Sequence, residues 1–275
     1  MRNVLKSVSI LATAGLALSL TACGSDSSSS GSSPDAPLKV VASPTPHAQI
    51  LEYVQKNLAD AAGLKLDVKV VTDYVTPNTS VQDGSADANY FQHVPYLKDF
   101  NQKKGTDIVS VETVHLEPLG LYSKKVKSAA ELPDGATVGL PNDTTNEGRA
   151  LKLLADNNVI TLKEGVGTAA TPADVTGNPK HLKWKELEAA QLPRSLPDLD
   201  AAVINGNYAI EANLKPATDA ILLEKAEGNP YANILAVKKG KENDPRVKKL
   251  AELLHSDKVK QYIDDTFKGS VIPAF

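Results

Sequence analysis

The chain is poor in the residues that most often anchor chemistry. It has a single cysteine, Cys23, so it can form no internal disulfide and no cysteine-based metal cluster. It has one tryptophan and one methionine, and aromatic residues make up only 5% of its 275 positions. Basic charge is not in excess: 30 Lys and Arg stand against 33 Asp and Glu, and the formal net charge of −3 removes the electrostatic footprint of a nucleic-acid binder. The phosphate-cradling patterns GxGxxG and GxxxxGK are missing, as are the GxSxG elbow and any HxxxH or HExxH spacing. Nucleotide binding, serine hydrolysis and a helix-borne zinc site are therefore unsupported. What is present is an ordinary globular balance, 41% hydrophobic and 23% charged, in a chain long enough for two lobes.

The chain begins with a segment of a different kind. Arg2 and Lys6 precede a nearly uncharged apolar stretch, residues 8–20, too short to span a bilayer and of the length of a signal-peptide core. It ends in Leu20-Thr21-Ala22-Cys23, which resembles the lipobox of bacterial lipoproteins, in which the cysteine is lipidated and becomes the first mature residue. The expectation is a signal peptide over residues 1–22, a lipidated Cys23 and a flexible linker over residues 23–37, rich in Ser, Gly, Asp and Pro. Two or more acyl chains on Cys23 would hold the protein stably at the extracytoplasmic face of the cell membrane. A cleaved secretory signal with an incidental cysteine is the alternative.

Folding is expected to begin at Leu38. Residues 38–42 form an apolar run closed by Ser43-Pro44-Thr45-Pro46, and Ile50, Val54 and Leu58 then recur at helical spacing up to Gly63. Leu66, Val68 and Val70 alternate with Asp67 and Lys69, which gives a β-α-β order. The pattern predicts helices over 75–83 and 96–103, strands over 108–116, 119–123, 138–140, 182–187, 201–204 and 231–237, and a closing pair of helical stripes. Asp244-Pro245 supplies an N-cap and N1 proline for the first stripe, and Thr144 with Glu147 stands at capping-box spacing for a helix beginning near Thr145. Strands alternating with helices predict an α/β fold with parallel-type sheets.

In such sheets ligands gather beyond the carboxyl ends of strands. Collected there are Tyr74, Asn89, Phe91, His93, Tyr96, Asn142, Asn146, Arg149, Asn205, Tyr208 and Asn233. The scarce rings concentrate in residues 87–97, which is consistent either with a lined cavity or with packing where a strand enters a helix. Tyr90 alternates with Phe91 and is expected to face the other way. One fixed cation among amides and rings suits a small zwitterion with a moderately apolar side chain. Arg149 can grip a carboxylate through two parallel hydrogen bonds, or else lie on a solvated helix face. A transition-metal site from His47, His93 and His115 with a carboxylate requires three strand ends to converge, and an enzyme would rest on His93 as a lone base. Neither a catalytic site nor a metal or other cofactor is expected.

Several stretches together resemble the methionine-binding lipoproteins of ABC importers over essentially the whole chain: the lipobox, Asp73-Tyr74-Val75-Thr76-Pro77-Asn78, residues 87–97, Tyr122-Ser123-Lys124-Lys125, Asn146-Glu147-Gly148-Arg149, Gln191-Leu192-Pro193-Arg194-Ser195 and Ala202-Val203-Ile204-Asn205. The resemblance implies a two-lobed periplasmic-binding-protein fold of class II type, with two crossing hinge strands and a central ligand cleft. It places lobe 1 in residues 38–117 plus 233–275 and lobe 2 in residues 118–232, with crossings near 116–121 and 229–236. It implies a methionine site lined by Tyr74, Phe91, His93, Tyr96, Asn146, Asn205 and Asn233, with Arg149 on the ligand's carboxylate. The implied partners are L-methionine or a related amino acid, an ABC importer permease with its ATPase, and the membrane through the lipid anchor; no nucleic acid is expected, and the protein is expected to be a monomer. A receptor for another amino acid or small peptide is the nearest alternative, a metal-solute receptor or surface hydrolase a more distant one. Some family members have tyrosine where this chain has Glu117, whose carboxylate either faces the ligand's ammonium or braces the hinge.

Overall fold

Two mixed β-sheets, each with its own helices and core, account for residues 35–275, which are the residues described by the computed structural model. The expected signal peptide, Cys23 and all but the last residues of the expected linker lie outside them. Strand β1 (Leu38–Ala42) leads into helical turns that include α1 (Gln49–Val54) and end at Gly63, whose φ of +60° suits a residue without a Cβ. β2 (Leu66–Val70), α2 (Thr76–Asp83), β3 (Ala88–His93), α3 (Val94–Lys104) and β4 (Ile108–Leu116) follow. The chain then crosses through residues 117–119 to β5 (Gly120–Tyr122), β6 (Thr137–Pro141) and α4 (Thr144–Asp156).

A small ladder of β7 (Thr161–Leu162) and β8 (Val175–Gly177) precedes β9 (Lys183–Leu187), α5 (Leu192–Ser195), β10 (Ala201–Ile204), α6 (Gly206–Glu211), α7 (Pro216–Asp219) and β11 (Leu222–Leu223). A second crossing, residues 224–232, returns to β12 (Asn233–Lys238), α8 (Pro245–Leu254), α9 (Asp257–Phe267) and β13 (Ile272–Pro273).

The first sheet is ordered β13-β4-β12-β3-β1-β2 and the second β11-β5-β10-β6-β9. They are mixed rather than purely parallel. β1 runs parallel to β2 and β3, but β12 comes back from the second sheet and inserts antiparallel between β3 and β4. β5 likewise pairs antiparallel with β10.

The helical stripes read from the sequence bury as expected. Val247, Leu250 and Leu254 of α8 and Val259 and Ile263 of α9 join Leu38, Val40, Ile50 and Val54 in one core. Leu121, Val138, Leu140, Leu151, Leu154 and Val203 form the other. Each fully buried aliphatic side chain contributes roughly 1.5–3 kcal/mol, so each sheet has a driving force of its own. Asp244 caps α8 as predicted, its carboxylate accepting the Arg246 backbone N–H. The start of α4 differs: Asp143, not Thr144, is the N-cap and accepts the Asn146 backbone N–H, so the helix begins at Thr144 and no Thr144–Glu147 box forms.

Candidate functional site

β3 delivers the ring-rich stretch to the edge of the first sheet. Its last residue, His93, caps α3 by accepting the Tyr96 backbone N–H on Nδ1 at 3.1 Å. Phe91 and His93 face a cavity, while Tyr90 packs on the opposite side against His47 and His115, as strand alternation requires. From the second sheet, β6 opens into α4, which carries Asn146 and Arg149, and β10 ends at Asn205, the N-cap of α6. With Tyr74, Tyr96 and Asn233 these residues line one cavity, so all eight residues of the expected methionine site meet there.

Gln92, Glu117, Gly206 and Asn207 complete the wall. Three other strand-end residues lie elsewhere. Asn89 donates to Asn78 Oδ1 in a buried amide cluster, Asn142 is exposed beside Glu188, and Tyr208 lines outer grooves.

A chain of hydrogen bonds fixes which way the amides point. The Asp143 carboxylate, an acceptor only, takes Nδ2–H of Asn146 at 3.0 Å, which leaves Asn146 Oδ1 as the acceptor for its other neighbours. Asn205 Nδ2 donates to that oxygen at 2.9 Å, and His93 Nε2, carrying the proton because Nδ1 is occupied, lies 3.3 Å from it. Burial, reinforced by the Arg149 charge, lowers the His93 pKa to about 3 and keeps the ring neutral. The consequence is an Asn205 Oδ1 that is buried without a hydrogen-bond partner among the described residues.

Arg149 is only 4% exposed. Its Nε and Nη2 donate to the two oxygens of Glu224 at 2.8 and 2.6 Å, Nη2 also donates to the Glu117 carbonyl at 3.0 Å, and the guanidinium carbon lies 4.3 Å from the centre of the Tyr231 ring. Burial works against this charge, and the Glu224 carboxylate outweighs it and holds the guanidinium protonated. Arg149 does not lie on a solvated face; its Nε and Nη2 are paired with Glu224, leaving Nη1 as the nitrogen outside that pair.

Glu117 sits on the first crossing and is both a brace and part of the cavity wall. Its Oε1 lies 2.7 Å from His115 Nε2 and 3.2 Å from His47 Nε2, which is also 3.0 Å from Asn233 Oδ1, and the Tyr90 hydroxyl bonds His115 Nδ1. Of the metal trio considered from sequence, His47 and His115 do converge, with Glu117 and within 4.8 Å, but His93 stands apart with Asn146. The separations are those of N–H···O hydrogen bonds, with ring protons between nitrogen and carboxylate. Burial lowers His47 to about 4 and His115 to about 3, so both rings are neutral donors. Desolvation raises the Glu117 carboxyl, opposed by His47 and the Arg149 charge.

Gly206 and Asn207 were within reach of the strand-end rule, since they directly follow Asn205. Glu224 and Tyr231 lie on the second crossing, where no local spacing marks them.

Two sheets linked by two crossings, with a charged and ring-lined cavity fed by both, define a solute receptor of the periplasmic-binding-protein type. The family model of the NlpA lipoproteins matches residues 38–275. The methionine-binding lipoprotein MetQ of Bacillus subtilis is 42% identical over 259 residues, covering 92% of this chain and 93% of that protein. The D-methionine-binding lipoprotein MetQ of Escherichia coli K12 is 42% identical over 226 residues, 82% of this chain and 83% of that one. The solved structure of a nutrient-binding protein from Burkholderia cenocepacia bound to methionine matches with a TM-score of 0.84 at 47% identity, over 86% of this chain and 100% of the other. The chain belongs to the NlpA lipoprotein family, in agreement with the resemblance read from its motifs.

Proposed function

We propose that this protein is a substrate-binding protein, anchored by a lipid on Cys23 at the extracytoplasmic face, that captures L-methionine or a close analogue and delivers it to an ABC importer permease with its ATPase. It acts as a monomer and catalyses no reaction. The observation that carries this reading is the cavity itself, whose wall holds Arg149 together with Tyr74, Phe91, His93 and Tyr96. A thioether is polarisable and suits ring edges and faces, while amides and a fixed cation suit the zwitterionic end. The relatives named for methionine, and the methionine-bound structure that this chain resembles, support the same ligand.

Lobes of residues 38–117 plus 233–275 and 118–232 are supported by the strands of the first sheet falling within 38–116 and 233–273 and those of the second within 120–223. Ligand contacts drawn from both sheets would favour a closed form over an open one. The test is calorimetry on protein freed of ligand by unfolding and refolding, titrated with L-methionine, D-methionine, the other amino acids and short peptides. Tightest binding of L-methionine is expected. Binding of a dipeptide such as Gly-Met without binding of free methionine would replace the ligand named here.

A further inference from the structure

We infer that His47, His115, Glu117 and Asn233 form a buried site for a divalent transition metal of the zinc class, which clips the roots of both chain crossings to the first sheet. The inference does not depend on which solute the cavity takes.

Geometry is the first reason. Glu117 follows β4 directly, and its carboxylate bonds the His115 ring two residues back. Register sets Asn233, the first residue of β12, opposite His115, and His47 reaches the same point from the turns before α1. All four side chains are buried. One ligating atom from each of His47, His115 and Glu117 lies within 4.8 Å of the others, and Asn233 Oδ1 is 3.0 Å from His47 Nε2. Two imidazoles with a carboxylate and an amide oxygen suit a borderline divalent ion. Zinc holds nitrogen and oxygen at about 2.0–2.2 Å, which puts tetrahedral ligands roughly 3.3 Å apart. The separations of 3.0 and 3.2 Å around His47 are close to that, and the 2.7 Å between His115 and Glu117 would open as the metal enters.

The proton count is the second reason. With both rings neutral and protonated on Nε2, the His47 N–H is divided between Glu117 Oε1 and Asn233 Oδ1. His47 Nδ1 is meanwhile buried with no hydrogen-bond partner among the described residues. Coordination through Nε2 moves the ring proton to this idle nitrogen, and the Thr45 backbone lies close enough to favour a protonated ring. Nδ1 of His115 already bonds the Tyr90 hydroxyl, which would turn from donor to acceptor. Each ring shifts its proton and none has to leave the site. Metal-bound histidines are generally held by an outer partner of this kind.

Charge and access agree. Glu117 supplies a negative charge to the site, and Arg149, the cation that acts on it, is paired with Glu224. Glu117 and Asn233 also line the ligand cavity, which gives a metal its way in. Glu117 opens the first crossing and Asn233 follows the second, so one ion bound to both would fix the two crossings against His47 and His115.

The experiment titrates zinc chloride by calorimetry into ligand-free protein without a polyhistidine tag, with melting temperature followed in parallel. One zinc per chain with a Kd of about 1 μM or tighter is expected, and the melting temperature should rise with zinc concentration. Cobalt(II) should show the intense visible absorption of a four-coordinate ion and lose it when zinc is added. His47→Gln and Glu117→Gln should each weaken zinc by about 100-fold or more, and Tyr90→Phe, which removes only the outer partner, by about 10-fold to 100-fold. A wild type that binds no zinc, or holds cobalt(II) with the weak spectrum of a six-coordinate ion, overturns the site and needs no variant to fold. Zinc affinity unchanged by His47→Gln and Glu117→Gln overturns it as well. So does zinc binding lost in His93→Gln, which would place the ion in the ligand cavity, or in His181→Asn with His255→Asn, which would place it on the surface.

Discussion

Arg149 holds two positions at once, a wall of the cavity and half of a buried ion pair. Removing it takes away the donor proposed for the ligand and leaves Glu224, which is 11% exposed, without its cation. Breaking such a pair from one side costs about 3–5 kcal/mol. Arg149→Ala should therefore lose both methionine affinity and stability in urea unfolding, whereas Arg149→Ala with Glu224→Gln should regain stability without regaining affinity. Recovery of affinity in the double variant would show that Arg149 is structural alone. Glu147 carries a different signal. Burial first, then the nearby Glu186 and Asp143 charges, push its carboxyl from 4.5 to about 7, and its Oε1 is buried without a hydrogen-bond partner among the described residues. In the native state it keeps a proton that the unfolded chain has already released, so stability falls as pH rises from about 4.5 to about 7 and the loss is complete above that. Glu147→Gln should flatten this dependence and melt higher than wild type at about pH 8, with the difference shrinking toward about pH 5. A difference in melting temperature that does not change with pH would rule out this titration.

α4 shows how an element can be both legible and misjudged. Its apolar face, Ala150, Leu151 and Leu154, was plain from spacing, and these residues are fully buried. Its first residue was not, because Asp143 and Thr144 are both good N-caps and only the side chain's actual bond to Asn146 decides between them. What holds the helix in place could not be seen either. A Cβ on Gly148 would lie 2.3 Å from the Thr168 carbonyl oxygen, so α4 is pressed against the turn at 167–169. Gly148→Ala should cost roughly 1–3 kcal/mol in denaturant unfolding by forcing the two apart. It should also weaken ligand binding, since the same helix carries Asn146 and Arg149; an unchanged midpoint would contradict the close approach. The general pattern is one of range. Strand ends are local features, so the rule that collects rings and polar groups there found Phe91, His93, Asn146 and Asn205 together. Glu224 and Tyr231 join the site through a crossing, and β12 enters the first sheet antiparallel because of where the chain returns. Neither leaves a spacing in the sequence, and the meeting of His47, His115 and Glu117 depends on a fold that brings β4 beside the turns before α1.

At the scale of the whole receptor, closure has contacts of its own apart from the ligand. The Tyr208 hydroxyl donates to the Thr72 carbonyl at 2.8 Å, and the Tyr74 hydroxyl donates to Asn207 Oδ1 at 2.6 Å, with the two tyrosine rings 5.0 Å apart. Lys103 bonds Thr144 across the same cleft. Each of these joins residues flanking the first sheet to residues flanking the second, so each exists only while the two are together. A net hydrogen bond of this kind is worth about 0.5–1.5 kcal/mol, and a contact made only in the closed form shifts the closed population by that amount. Tyr208 is the clean probe because it lines the outer grooves and not the ligand cavity. Tyr208→Phe keeps the ring contact and removes only the latch. It should therefore weaken methionine binding by about twofold to tenfold, almost wholly through faster dissociation, and leave the melting temperature of the ligand-free protein nearly unchanged. Stopped-flow dissociation that matches wild type would mean that Tyr208 does not hold the cleft shut.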